Sequence, residues 1–262
     1  MKYGWLNINV ADMWADPKYN SERVNQLLFA DTVKILDEKN HYVFVEKNDS
    51  YQGWVDSSYL NFCTLKAYTV YNKQKKYTVT HKFVKVTKTS NSAFNPIVLF
   101  YGTKLVKSRT VQNTMTLKLP DENTLEVSTS AIKLVPLKQS PNSNVIIQEA
   151  KKFLGVPYLW GGLSSNGLDC SGLVQLVLSR FGMSIPRDTS EQIHIGSEVN
   201  REDIQKGDLL FFKRHVGIAI GKHKLIHSSI GGGGVRINSL NPSDTDYRKD
   251  LDESYKTTRR IL

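Results

Sequence analysis

Cysteine is scarce in this chain: Cys63 and Cys170 are the only two among 262 residues. Two thiols this far apart give neither a disulfide framework nor a zinc-ligand spacing. Cys63, within Leu60-Asn61-Phe62-Cys63, reads as a small buried apolar residue. Long apolar runs are lacking too, and none reaches the ~18 residues of a membrane-spanning helix. Near the start, Asn7, Asn9 and Asp12 interrupt any apolar stretch of signal-peptide type. The expectation is a cytoplasmic protein, or a periplasmic or secreted one if a leader is removed. Glycine is rare in the middle: residues 64–137 hold one, Gly102, so turns there must rely on Asn, Asp, Ser and Lys. Acidic residues are rare in the same region. Residues 64–142 carry 13 basic and 3 acidic groups (+10), against 6 and 9 in 1–63 (−3) and 16 and 13 in 143–262 (+3). The middle therefore supplies the whole net charge of +10. A field of that sign favours an anionic partner, or is a solvated basic surface. No nucleic-acid-binding motif accompanies it. The Gly231–Gly234 run lacks the spacing of a phosphate cradle, and no cofactor is implied.

Three blocks follow from patterning. Residues 1–63 alternate in short strand-like runs, Gln26–Phe29, Thr32–Leu36, Tyr42–Val45 and Gly53–Val55, separated by polar turns, as in a small barrel or sandwich. Residues 64–137 repeat that character at Tyr77–Thr80, Phe83–Val86, Ile97–Tyr101 and Leu125–Val127. A polar, proline-broken linker follows at Lys138–Ser143. Residues 143–262 mix the two element types. Asn144 is expected to cap a helix through Leu154, with Ile146, Ile147, Ala150 and Leu154 at near-helical spacing. A second helix starts near Cys170, with Leu173, Val174, Val177, Leu178 and Phe181 apolar and Gly182 at its C′ position. Strands are expected at Leu209–Phe212, Val216–Ile220, Leu225–His227 and Val235–Ile237. This is α+β order.

Cys170 is the residue with the clearest chemistry. A thiol at a helix N-terminus faces unpaired N–H groups and the positive dipole end, which with an adjacent cation lowers its pKa from about 8.5 into the ~3.5–7.5 range. The same N–H groups are placed to donate to an oxyanion. A thiol also needs a base, and the base needs an orienting group. If the chain reverses at Gly221-Lys222-His223, residues whose numbers sum to 444 face one another, so His215 opposes Ser229 and His227 opposes Gly217. The pleat then puts both histidines on one face. His41, His81, His194 and His223 read as surface or packing residues.

These motifs also carry a resemblance. Pro157-Tyr158-Leu159-Trp160-Gly161-Gly162, Asp169-Cys170-Ser171-Gly172-Leu173-Val174, Ile185-Pro186-Arg187-Asp188-Thr189, Gly207-Asp208-Leu209-Leu210-Phe211-Phe212, His215-Val216-Gly217-Ile218 and Ile226-His227-Ser228-Ser229 resemble, in order, the NlpC-type cysteine peptidases. The resemblance implies a papain-like fold over 143–262, with Cys170 as nucleophile, His215 as general base and His227 as its orienting residue. It also implies that Tyr158, Asp169, Ser171, Asp188 and Thr189 line the substrate site. Ser21–Leu28 and Asp49–Val55 are similar to bacterial SH3-like modules. Some relatives place two such modules before the peptidase, which implies SH3-like barrels at 1–63 and 64–137. In these relatives the first module holds the free amine of an N-terminal L-alanine, and Glu22 and Tyr51 stand at the counterpart positions. The implied activity is hydrolysis of the γ-D-Glu–diamino acid bond in peptidoglycan stem peptides during wall recycling. Two other readings stay open: a secreted or injected lysin that docks its basic middle block on anionic wall polymer, and a wall-binding protein without catalysis.

Overall fold

The structure, a computed structural model, describes residues 2–90, 97–136 and 141–262. It divides into two compact units, Met1–Val135 and Pro136–Leu262. Lys138, Gln139 and Ser140 of the expected linker lie outside the described residues.

The first unit is built from antiparallel strands. One seven-stranded sheet runs in the order Arg23–Leu28, Val10–Trp14, Gln52–Asp56, Tyr42–Lys47, Thr32–Lys39, Lys2–Leu6, Leu60–Cys63. Alternation puts Leu6, Met13, Leu27, Val33, Val43, Val45 and Val55 into one apolar cluster. A second, six-stranded sheet orders Lys88–Thr89, Thr124–Ser128, Thr114–Lys118, Lys104–Val111, Lys76–Val79 and Ile132–Leu134. Its core takes Leu99, Leu105, Leu117 and Val127 together with Trp5, Phe29 and Ala30 from before residue 63, so the two blocks share apolar packing.

In chain order a helix, Leu65–Lys73, follows the last strand of the first sheet, inside a block expected from the sequence to be all-β. Thr64 caps it by accepting from the Ala67 N–H at 3.2 Å. The glycine-poor turns also depart from expectation, because Gln112 and Glu122 take positive φ, at 49° and 67°. Gln112 opens the two-residue turn between Lys104–Val111 and Thr114–Lys118, where a positive φ matches the strand twist, and without glycine the strand pairing itself has to enforce it. Cys63 is half-buried against the second core, and both thiols are free.

In the second unit a six-stranded antiparallel sheet orders Ser197–Val199, Tyr255–Arg260, Leu209–Phe212, His215–Ala219, Lys224–Ser229 and Gly234–Ser239. The helix Ser143–Lys151 is capped by Asn142 rather than Asn144, and ends three residues before Leu154, which is exposed. The helix Cys170–Ser179 packs on the strand His215–Ala219 and is buried at every position from Cys170 to Leu178. Its C-terminus closes as a Schellman turn: Met183 N–H donates to Leu178 C=O and Gly182, at φ 73°, donates to Ser179 C=O.

Candidate active site

Cys170 opens its helix directly after Asp169, whose carboxylate accepts from the Gly172 N–H at 2.6 Å. That carboxylate is also held by Arg187 through Nη1 at 3.0 Å and Nη2 at 2.6 Å. The same guanidinium donates to Ser171 Oγ at 2.8 Å and to Gly162 C=O at 3.4 Å. Both side chains are almost fully buried. Asp169 and Ser171, expected to line the substrate site, are thus committed to fixing the helix N-terminus that carries the thiol. The close approach is backbone-deep: a Cβ on Gly172 would sit 2.3 Å from Gly162 O.

The two histidines meet as the pleat arithmetic requires. The paired residues Ile218↔Ile226 and Ala219↔Leu225 keep the sum of 444. A Cβ on Gly217 would lie 3.1 Å from His227 Cβ, which places that glycine against His227. His215 starts its strand after the Lys213-Arg214 turn, with Arg214 at φ 58°. Its Nε2 lies 2.7 Å from His227 Nδ1. The next residue, Val216, directs its N–H at the Cys170 thiol, as does Ser171. Thr189 Oγ1 is 3.7 Å from Cys170 Sγ.

Hydrogen-bond directions along this chain fix the tautomers. Asn238 Nδ2 donates to Asp246 C=O at 3.1 Å, so its Oδ1 is the atom 3.0 Å from His227 Nε2. His227 Nε2 therefore carries the proton, and its Nδ1 accepts from His215 Nε2–H. His215 Nδ1 is left with a free lone pair, which is what a general base requires. Asn238 was not singled out from sequence. It lies diagonally from His227 on the same face, since His227 pairs with Arg236, a register that depends on the length of the glycine-rich turn between the two strands.

Burial sets the charge state. His215 is pushed down to about 3, by desolvation first and by His227 second, and His227 is shifted the same way by burial. Burial and then Asp169 push the Cys170 thiol up, against the Thr189 hydroxyl and the N–H groups of Val216 and Ser171. The expectation of a lowered thiol pKa needed a cation beside the sulfur, and these neutral imidazoles supply none. At rest the thiol and both imidazoles are neutral. Tyr158 is half-buried, and burial above all holds its phenol well above its usual range. It stays a hydrogen-bond donor. Asp188 precedes the short helix Thr189–Gln192, and its C=O accepts from the Glu191 and Gln192 N–H groups.

Glu22 and Tyr51 belong to the other unit. Glu22 is exposed, and Tyr51 Oη donates to Val24 C=O at 3.2 Å. His41, His81, His194 and His223 are exposed. Among the described residues no group of three or more His, Cys, Asp and Glu is placed to hold a metal ion, and no helix is long and apolar enough to cross a membrane.

A buried thiol at a helix N-terminus, packed on an antiparallel sheet that carries two hydrogen-bonded histidines, agrees with a match to the NlpC/P60 family over residues 155–250. Residues 155–250 are an NlpC/P60 domain. Residues 13–60 match the bacterial dipeptidyl-peptidase SH3 domain. Across the chain, 254 residues are 29% identical to dipeptidyl-peptidase 6 of Lysinibacillus sphaericus, covering 92% of this chain and 93% of that protein. A gamma-D-glutamyl-L-lysine dipeptidyl-peptidase of Bacillus subtilis (strain 168) is 40% identical over 126 residues, 45% of this chain and 42% of its own length. In fold, the chain is similar to an NlpC/P60 family protein from Bacillus cereus ATCC 10987, with a TM-score of 0.87 at 23% identity over 99% of each chain. The protein is thus a cysteine peptidase of NlpC/P60 type with a papain-like α+β domain and an SH3-like domain before it.

Proposed function

We propose that this peptidase hydrolyses the γ-D-Glu–diamino acid bond of free muropeptides that begin with an unblocked L-alanine, with Cys170 as nucleophile, His215 as base and His227 as its orienting residue. The observation that carries the chemistry is the Asn238–His227–His215 relay, which leaves the His215 Nδ1 lone pair for the thiol proton. The names of relatives support the bond: two are gamma-D-glutamyl-L-lysine dipeptidyl-peptidases.

In this reading Cys170 Sγ attacks the γ-carbonyl carbon while its proton passes to His215 Nδ1. The oxyanion takes hydrogen bonds from the helix N-terminus and the Tyr158 hydroxyl. Collapse breaks the C–N bond, and His215 returns the proton to the departing amine. Water, deprotonated by His215, then cleaves the thioester and restores the thiol. The products are an alanyl-glutamate with its γ-carboxylate freed and a diamino acid.

Glu22 and Tyr51 enter this reading through the resemblance, as the carboxylate and phenol that take the free amine. We also read residues 64–137 as a second SH3-like module, on its antiparallel sheet, and place the reaction in cytoplasmic wall recycling. Native protein found outside cells would count against that placement.

Mass spectrometry of products from L-Ala-γ-D-Glu-diamino acid tripeptide tests the proposal. Wild type should release L-Ala-D-Glu, Cys170→Ala should release none, and N-acylation of the alanine should abolish cleavage. Equal cleavage of the acylated peptide would favour a lysin acting on intact wall. No cleavage of either would leave a binding role.

A further inference from the structure

A cavity of about 360 Å³ opens within the N-terminal unit, in the size range that takes small molecules. Its walls come from chain segments far apart in sequence. Asp31 and Thr32 begin the strand Thr32–Lys39, Asn72 ends a turn of the helix Leu65–Lys73, and Lys76 and Lys104 each open a strand of the second sheet. Asn48 completes a polar corner, donating from Nδ2 to Thr32 Oγ1 at 3.1 Å, while Thr32 Oγ1 donates to Asn72 Oδ1 at 2.9 Å.

Among the described residues the charged groups of this cavity attract one another, and Lys47 acts on Asp31 as well, but none of them meets a counter-ion at ion-pair distance. The Asp31 carboxylate accepts one hydrogen bond, from the Leu28 N–H at 2.9 Å. Among the described residues no ion pair includes Asp31, Lys76 or Lys104, although Asp31 and the two ammonium groups act on one another electrostatically. Lys76 Nζ donates to Tyr71 C=O at 2.8 Å and lies 3.2 Å from the centre of the Tyr71 ring, so a carbonyl and a ring face stand where a carboxylate would pair it. The Lys104 ammonium makes no hydrogen bond among the described residues. The Asn72 Nδ2, buried, likewise lacks an acceptor.

Asp31, Lys76 and Lys104 are each half-buried, and charges drawn even partly out of water are ordinarily paired, because desolvation penalises an unpaired one. A carboxylate and two ammonium groups that line one space without touching one another are complementary to a ligand of the opposite pattern. We propose that this cavity binds an amino dicarboxylate, of the size of glutamate or alanyl-glutamate, with its ammonium on Asp31 and its two carboxylates on Lys76 and Lys104. The titration behaviour agrees: burial pushes Lys76 down to about 7, Lys104 down and Asp31 up, as expected where the protein alone compensates these charges poorly. The charge pattern is independent of the peptidase reaction. The choice of alanyl-glutamate as one source rests on the proposed function, whose product has one ammonium and two carboxylates.

The test uses full-length protein with Cys170 alkylated by iodoacetamide, so that no turnover occurs, and with its lysines reductively ¹³C-methylated. Glutamate, L-Ala-D-Glu, succinate and inorganic phosphate are titrated separately by NMR and calorimetry. The expected result is a saturable shift of the Lys76 and Lys104 resonances with glutamate or the dipeptide, and affinity at least about tenfold weaker in Lys104→Gln and Asp31→Asn. Succinate and phosphate should bind about tenfold more weakly, because neither offers an ammonium to Asp31. Binding heat without movement of these lysine resonances would assign the ligand to the Cys170 site and overturn the proposal. Equal binding of phosphate or succinate would overturn the amine contact. The wild-type lysine signals decide the matter even if a variant fails to fold. A protein that shifts with glutamate but cleaves no tripeptide would sink the proposed reaction and leave this site standing.

Discussion

Asn238 decides which nitrogen of His215 is free to act, and it does so from two residues away. Removing its side chain leaves the buried His227 Nε2–H without its acceptor, a loss of about 1–3 kcal/mol. The relay is then free to flip to the tautomer that puts the proton on His215 Nδ1. Asn238→Ala should therefore lower kcat by roughly 5- to 100-fold with little change in KM. Asn238→Asp should keep the acceptor and add a negative charge that favours imidazolium, so activity should persist with its acid limb moved to higher pH. Steady-state pH profiles of the three proteins check this, and equal profiles would show that the relay ends at His227. At this scale the sequence was legible where residue chemistry is rare. One thiol opening an apolar helix and two histidines on facing strands could be assembled by counting in twos. Asn238 escaped because its register passes through the glycine-rich turn before it, whose length the sequence does not fix. Arg187 escaped because an arginine reads as exposed until its partner, Asp169, is known to be buried beside it.

The helix Cys170–Ser179 works as a mount, and its first turn tolerates no added volume. A methyl at Gly172 would meet the Gly162 carbonyl at 2.3 Å and the Asp169 carboxylate at 2.9 Å. The first contact is with backbone that Arg187 also grips, so it cannot move without disturbing the ion pair. Overpacking of this kind costs about 1–3 kcal/mol. Gly172→Ala should lower the unfolding free energy of the peptidase unit by that amount in denaturant titration, with a lower midpoint, and should cost more in activity than Gly155→Ala does. A Cβ at Gly155 meets nothing within 4 Å, although its φ of 81° carries its own strain. Element boundaries were legible where a local cap or a Schellman glycine marks them, as at Asp169 and Gly182. They were not legible where tertiary pairing overrides local preference. Thr64 and the helix it starts lie in a stretch whose β-type neighbours hide the helical period. The strand Tyr255–Arg260 has three cationic residues, Lys256, Arg259 and Arg260, yet it fills an inner position of the sheet. Arg260 is accommodated by a bidentate pair with the buried Asp208 at 2.8 Å.

At the scale of the whole molecule, the two compact units should answer pH differently. His215 titrates near 3 when folded and near its usual ~6.5 when unfolded, so the unfolded peptidase unit binds more protons between those values. Its stability is complete above about pH 6.5 and falls as pH drops toward 3. His215 alone removes about 2 kcal/mol at pH 5, and His227, shifted in the same direction, adds to the loss. In the N-terminal unit the large shift that reaches the neutral range belongs to Lys76, whose depressed pKa contributes stability above the unfolded value and loses it as pH falls through about 7. That contribution is already spent below neutrality. Asp31, raised by burial, acts in the opposite sense and favours the folded unit as pH falls. Differential scanning calorimetry of the full chain at pH 7 and pH 5 should therefore move the peptidase transition down by roughly 5–10 °C and the N-terminal transition by much less. His215→Gln should remove a large part of the acid shift from the peptidase transition. An equal fall of both transitions in wild type would mean that the buried histidine pair is not what acid attacks first.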